Sequence, residues 1–270
     1  MDTRHCLLQW NRMPTAIQKR LSRALSLEEN ILVDILGGII KALQLIVSGD
    51  PTLYGIVYRS IFFSGTAIII AALWGTPMAM LLGLKNFRGK TIIKGFFNSL
   101  IGIPTVVLGL VLYLVFSKGG PLGFLGLLYT PGAMILGEAV LVTPILVSIT
   151  TTAIEAVDPE IMNLAKTLGA SESQAFIAVL KEAVNGVLLS NIASFNRAIA
   201  ELGVALLVGG NIAGLTDVLT TAISRYTQRG ELDLAIALGI VLMVIVFLIN
   251  MIIITARKAK MLFTLGKSPQ

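Results

Sequence analysis

Arg197 and Glu201 interrupt the apolar stretch from Ala183 to Gly209 and lie four residues apart, a spacing that puts them on one helix face. Pairing them lowers the cost of holding two charges within a membrane, where charged side chains face a bundle interior or a watery path. Such a pair either staples helices or a dimer together or offers a positive group to an anion. Glu138 is the other carboxylate inside an apolar run. It is expected to be protonated or paired with a neighbour, in a structural role, since an ionised carboxylate would repel an anion.

Enzymatic groupings cannot be built from this sequence. The only histidine, His5, and the only cysteine, Cys6, are adjacent near the N-terminus. No metal cluster and no Cys/His or Ser/His nucleophile can therefore be assembled further along, and no disulfide can form within one chain. The segment Gly83–Thr91, GLKNFRGKT, looks like a phosphate loop. A Walker loop has four residues between its glycines and follows a buried strand; here there is one residue more, and an apolar helix precedes it. ATP chemistry must then come from another chain.

The elements that carry these charges are membrane helices. The chain is 55% hydrophobic and 13% charged, with a mean hydropathy of +0.86, far from the charged quarter of a soluble domain. Residues 60–84, 95–117 and 234–256 contain no Asp, Glu, Lys or Arg, and each is long enough to cross a hydrocarbon core of ~30 Å. A fourth span is expected from about Thr130 to Ile154 and a fifth from Ala183 to Gly209. Residues 31–48 are apolar but contain Asp34 and Lys41, and form either a sixth span or an amphipathic helix in the interface. Residues 1–30 read as a basic extension, residues 53–257 as the membrane domain, and residues 258–270 as a cytoplasmic tail.

Short-loop lysines and arginines orient the spans. Lys85, Arg88, Lys90 and Lys94 follow the first core span, and Arg257, Lys258 and Lys260 follow the last. Both places are expected in the cytoplasm, which puts residues 117–130 and 210–233 outside and residues 158–174 inside. Within the spans, hydroxyls such as Ser60, Ser64, Thr66, Ser99 and Thr105 are weak candidates for an anion path, because such groups commonly bond to the preceding turn. Gly75, Gly102, Gly109 and Gly239 suggest close helix contacts, and Pro77, Pro104 and Pro144 suggest kinks.

Residues 158–174, DPEIMNLAKTLGASESQ, form a polar helix-turn-helix between these spans. Asp158 is a good N-cap and Pro159 suits the first helical position. Ile161, Leu164, Ala165 and Leu168 recur with helical spacing and predict one apolar stripe. Gly169 is placed to close the helix, and Ser171 with Gln174 reads as the capping box of the next one.

This elbow resembles the coupling loop of type I ABC importer permeases, in which a short helix with Glu-Ala-Ala is followed after three residues by Gly. Asn163, Leu164 and Ala165, then Gly169, occupy those positions, so the last alanine and the glycine match. Lys181 and Glu182 stand where that pattern has Leu-Pro. Ser194–Ile212, SFNRAIAELGVALLVGGNI, is similar to the oxyanion branch for molybdate, sulfate and tungstate, which has an Arg-Ala-x-x-Glu-x-Gly core. The GGNI ending, the Lys181-Glu182 pair and residues 103–131 look most like tungstate permeases.

The resemblance implies an all-α integral membrane fold with five core spans plus the N-terminal apolar helix. It implies a homodimer, two copies of a cytoplasmic ABC ATPase that holds the ATP and Mg, and an external oxyanion-binding protein. No cofactor in this chain and no nucleic-acid partner are expected. Ile161, Leu164, Ala165, Lys166, Thr167, Leu168, Gly169 and Ala170 would couple to the ATPase, and Arg197 with Glu201 would lie on or near the path. The alternatives are a molybdate or sulfate ABC permease and, in another class, an ion-coupled secondary transporter with Glu138 and Glu201 as its carboxylates.

Overall fold

The computed structural model describes residues 36–265. The basic extension, residues 31–35 and residues 266–270 lie outside the described residues. In chain order the helices are α1 (Leu36–Val47), α2 (Pro51–Leu84), α3 (Lys90–Leu100), α4 (Thr105–Phe116), α5 (Pro131–Glu155) and α6 (Pro159–Thr167). They continue as α7 (Glu172–Glu182), α8 (Val184–Ile199), α9 (Gly203–Gly209), α10 (Leu219–Gln228) and α11 (Leu232–Leu265). A single 3-10 turn spans Gly123–Leu125, and no strand occurs among the described residues.

Three helices, α2, α5 and α11, are long and apolar enough to cross a membrane unaided. Two of them start in the same way. Asp50 accepts the Leu53 amide at 2.8 Å ahead of Pro51, and Thr130 accepts the Ala133 amide at 3.3 Å ahead of Pro131. Each proline occupies a position whose N–H has no helical partner, so the cap and the proline together fix the start.

The stretch 95–117 is not a straight rod. α3 and α4 meet at 101°. Pro104 has no N–H and biases Ile103 away from the helical region, while Gly102 tolerates the turn. The amides of Ile101, Gly102 and Ile103 fold back onto the carbonyls of Asn98, Ser99 and Leu100. Freedom from charge and sufficient length do not distinguish a rod from a broken span. Pro77 and Pro144, by contrast, lie inside continuous helices. The expected fifth span, Ala183 to Gly209, is also broken, residues 200–202 separating α8 from α9; at its start α8 is set off from α7 by a bend of 69°.

The core forms where small residues let helices approach. Ala67 and Ala71 of α2, Ala139, Val142 and Leu146 of α5 and Ala198 of α8 pack as one cluster. Leu112, Phe116, Ala133, Val204 and Val208 join α4, α5 and α9 in a second. A methyl group on Gly203 would stand 2.9 Å from the Val106 amide nitrogen, and one on Gly109 would stand 3.1 Å from the Gly203 carbonyl, so this crossing requires both glycines. Gly75 faces Leu146 at 2.9 Å in the same sense, whereas Gly239 has nothing within 4 Å and Gly102 only the Ser99 carbonyl at 3.7 Å.

Helix α1 joins a third cluster with the start of α2, α10 and α11, through Ala42, Leu53, Ile56, Leu219, Ala222 and Leu238. Its described length, about 18 Å at 1.5 Å per residue, is short of a hydrocarbon core of ~30 Å. Gly38 lies against Ile236, and Leu45 shares a small cavity with Leu234 and Leu238. Both ends of the described α1 thus meet the first turns of α11.

Charged contacts sort the two ends of the bundle. Lys85 reaches Glu172 at 3.4 Å, and Lys90 and Lys94 reach Glu155 at 3.0 and 2.6 Å, so the basic turn after α2 and the elbow share one end. Arg59, near the start of α2, meets Asp217 of the loop before α10 at 2.6 Å at the other.

Candidate functional site

The elbow is built by local bonds. Asp158 accepts the Glu160 amide at 2.9 Å, and Pro159 opens α6. At the far end the Gly169 amide reaches the Lys166 carbonyl and the Ala170 amide the Ala165 carbonyl, both at 3.0 Å. That pairing needs a left-handed residue between helix and exit, and Gly169 has φ +88°. Ser171 and Gln174 then exchange side-chain to backbone bonds at 2.9 and 3.3 Å, completing the capping box of α7.

The apolar stripe divides between two surroundings. Ile161 and Met162 are partly buried against Ile154 of α5, Val179 of α7 and Ala183, with Met80 and Leu84 of α2 around them. Leu164 is 61% exposed and Leu168 79%. Ile161 thus mounts the elbow on its own chain, with Ala165 half-buried on the same helix. Leu164 and Leu168 are left outward, flanked by the exposed Lys166, Thr167 and Gly169 and the half-buried Ala170. The far end of α6 extends past the cluster that covers Ile161 and Met162, and Leu168 closes the helix there, its amide donating to the Leu164 carbonyl at 3.1 Å.

Within the membrane region Arg197 and Glu201 do meet, at 2.7 Å. The second Glu201 oxygen accepts the Val204 amide at 2.9 Å, and the Thr220 hydroxyl donates to the Glu201 carbonyl at 2.6 Å. Glu201 thus caps the short helix α9 where the span is broken, satisfying a backbone N–H that has no water available. Glu138 is buried on α5, one of its carboxylate oxygens having no hydrogen-bond partner, and no cation stands against it among the described residues. Ser60 donates to the Ile56 carbonyl and accepts the Leu219 amide, both at 2.8 Å. Thr66 and Ser99 bond to the preceding turn, as such hydroxyls commonly do. Gly83–Thr91 is the end of α2, a turn and the first residues of α3, with a helix where a phosphate loop has its strand.

Comparison with known proteins fits this architecture. Residues 75–260 match the family described as binding-protein-dependent transport system inner membrane component. The chain belongs to that family. It is 41% identical over 216 residues to the tungstate uptake system permease protein TupB of Peptoclostridium acidaminophilum, covering 80% of this chain and 95% of that one. It is 36% identical over 231 residues to the TupB of Campylobacter jejuni, covering 85% and 96%. A solved structure of the MetNI methionine ABC transporter in an inward-facing conformation superposes with a TM-score of 0.64 at 16% identity, covering 77% of this chain and 95% of that one. The fold is that of the type I ABC importer membrane domain, and the chain is a multi-pass protein of the cell inner membrane.

In this inner membrane component, three polar contacts escaped sequence reasoning because their partners are distant in the chain. Asn196 of α8 and Asn250 of α11 exchange amide hydrogen bonds at 2.9 Å in both directions. Lys90 and Lys94 clamp Glu155 at the elbow end of α5. Asp217 gathers Arg59 and Arg225 at the opposite end of the bundle. Only the basic run from Lys85 to Lys94 left any trace in the sequence, as an orientation signal.

Proposed function

We propose that this chain is the membrane-spanning permease subunit of an ATP-driven importer for tungstate, working as a homodimer with two cytoplasmic ATPase subunits and an external oxyanion-binding protein. The relationship to tungstate uptake permeases, at 41% and 36% identity over most of the chain, carries the substrate. The outward Leu164 and Leu168 on a rigidly capped elbow support the coupling.

The mechanism follows from the packing. ATP and Mg are handled by the partner ATPase, whose subunits draw together on binding nucleotide. Each holds Leu164 and Leu168, and the motion passes through Ile161, Met162, Ile154 and Val179 to the ends of α2, α5 and α8. Gly169 fixes the angle between α6 and α7. An ion-coupled carrier would need carboxylates free to exchange partners; Glu201 is committed to Arg197 and the α9 cap, which leaves that class with Glu138 alone.

The test is uptake into vesicles containing this chain with its ATPase and binding protein. ATP-dependent tungstate entry preferred over molybdate and sulfate is expected. ATP-dependent entry of another solute would overturn the substrate, and entry without ATP would overturn the mechanism.

A further inference from the structure

The outer end of the molecule carries a cationic pocket that the elbow mechanism does not use. A cavity of about 430 Å³ opens between the start of α2, the loop before α10, and α10 itself, lined by Arg59, Arg225, Arg229 and Asp217 among others. Asp217 is the only acidic residue in that lining, and its side chain is 2% exposed. It accepts the Gly214 amide at 2.9 Å and the Arg59 guanidinium at 2.6 Å, and the Arg225 guanidinium stands 3.5 Å away. Arg59 is held further by its Nε donating to the Asp217 carbonyl at 3.0 Å.

One carboxylate therefore positions two guanidiniums and neutralises one of them. Arg229 is exposed and has no acidic partner among the described residues. Arg225 keeps unused donors, its Nε being buried without a hydrogen-bond partner. The Arg59–Asp217 contact and the Ser60–Leu219 bond already tie this region to α2; Arg225 stands by the same carboxylate and over the Tyr226 ring, and a structural staple has no use for Arg229. Guanidinium forks suit the oxygens of an anion, and clustered positive charge in a cleft raises the local anion concentration. The volume is many times the ~30 Å³ share of one water in the liquid, so a hydrated tetrahedral ion fits.

We infer that this pocket is an oxyanion-receiving site: two uncompensated positive charges, presented by Arg225 and Arg229 with Arg59 behind them, take up a tetrahedral oxyanion dianion at the outer mouth before it crosses. The inference rests on the proposed oxyanion transport. The pocket lies at the end of the bundle opposite the elbow, so it acts on arrival of the substrate and not on coupling.

The experiment uses the permease–ATPase complex in nanodiscs without binding protein, with tungstate as the titrant, for the native chain and for Arg229→Gln and Arg225→Gln. Tungstate binding to the native complex, weakened about tenfold by either substitution, is expected for loss of one charge-assisted contact. Arg229→Gln alters an exposed side chain and leaves the fold intact, as a thermal melt checks. Undetectable binding, or binding that neither substitution changes, would overturn the site. Docking of the binding protein is measured in parallel and is expected to be unchanged; loss of docking with tungstate binding intact would assign the arginines to a protein carboxylate and overturn it too. Native vesicles keep the two readings apart. If they import tungstate with ATP while the substitutions do nothing to binding, only the pocket fails; if they import no oxyanion but the arginines still bind tungstate, only the transport reading fails.

Discussion

Ile161 and Leu168 lie two helical turns apart on the elbow, yet Ile161 packs against Ile154 and Val179 of its own chain while Leu168 is 79% exposed. One end of the short helix is thus anchored in the permease and the other is presented away from it, the arrangement a lever requires.

That division separates two substitutions that periodicity alone would treat alike. Leu164→Asp is expected to leave the folded chain in the membrane and abolish co-purification of the ATPase. Ile161→Asp is expected to unfold the elbow's mounting, because a charge among Met80, Leu84 and Val179 has no partner. Co-purification combined with a thermal melt in detergent checks this: Leu164→Asp should melt like the native chain, and Ile161→Asp should melt early.

Gly169 tests the angle of the elbow. It has φ +88° with nothing within 4 Å of where a Cβ would stand, so a side chain meets no steric wall and only the backbone is strained. Gly169→Ala is expected to cost about 1 kcal/mol, Gly169→Val more and Gly169→Asn less, in the order of tolerance for the left-handed region. Limited proteolysis at residues 168–171 should quicken in that order, with transport falling alongside.

Glu201 joins Arg197 of α8 to the first turn of α9. Glu201→Ala strips the cap from α9 and leaves the Val204 amide and the partly exposed Arg197 without their partner, a loss of about 2 kcal/mol on the scale of hydrogen bonds to a charged group. Glu201→Gln keeps an oxygen for the Val204 amide and is expected to lose less. Thermal unfolding of the purified chain should rank native, Gln, then Ala.

Asn196 and Asn250 form a reciprocal amide pair between α8 and α11. Asn250→Leu is expected to cost about 1 kcal/mol, the scale of interhelical hydrogen bonds in membranes, and Asn196→Leu combined with it to cost less than the sum. A double-mutant cycle on thermal stability measures the coupling.

Local chemistry was legible in the sequence. Asp158, Gly169, Ser171 and Gln174 act within a few residues of their partners, so spacing sufficed to find the caps. The break at Gly102 and Pro104 was visible as a kink signal, but its 101° angle is set by how α3 and α4 pack, which spacing does not record. The stripe was found and its covering was not, because the residues that bury Ile161 come from α5 and α7 and from the end of α2. The Arg59–Asp217 contact joins positions 158 residues apart, and only the fold brings them together.

The most direct measurement is ATP-dependent tungstate uptake by the native permease and by Leu168→Asp, each reconstituted with the ATPase and binding protein and checked for membrane insertion and melting temperature. The account predicts ATP-dependent uptake by the native chain and loss of at least tenfold in the variant at unchanged stability. Uptake that ignores ATP, or a Leu168→Asp permease that transports at the native rate, would contradict it.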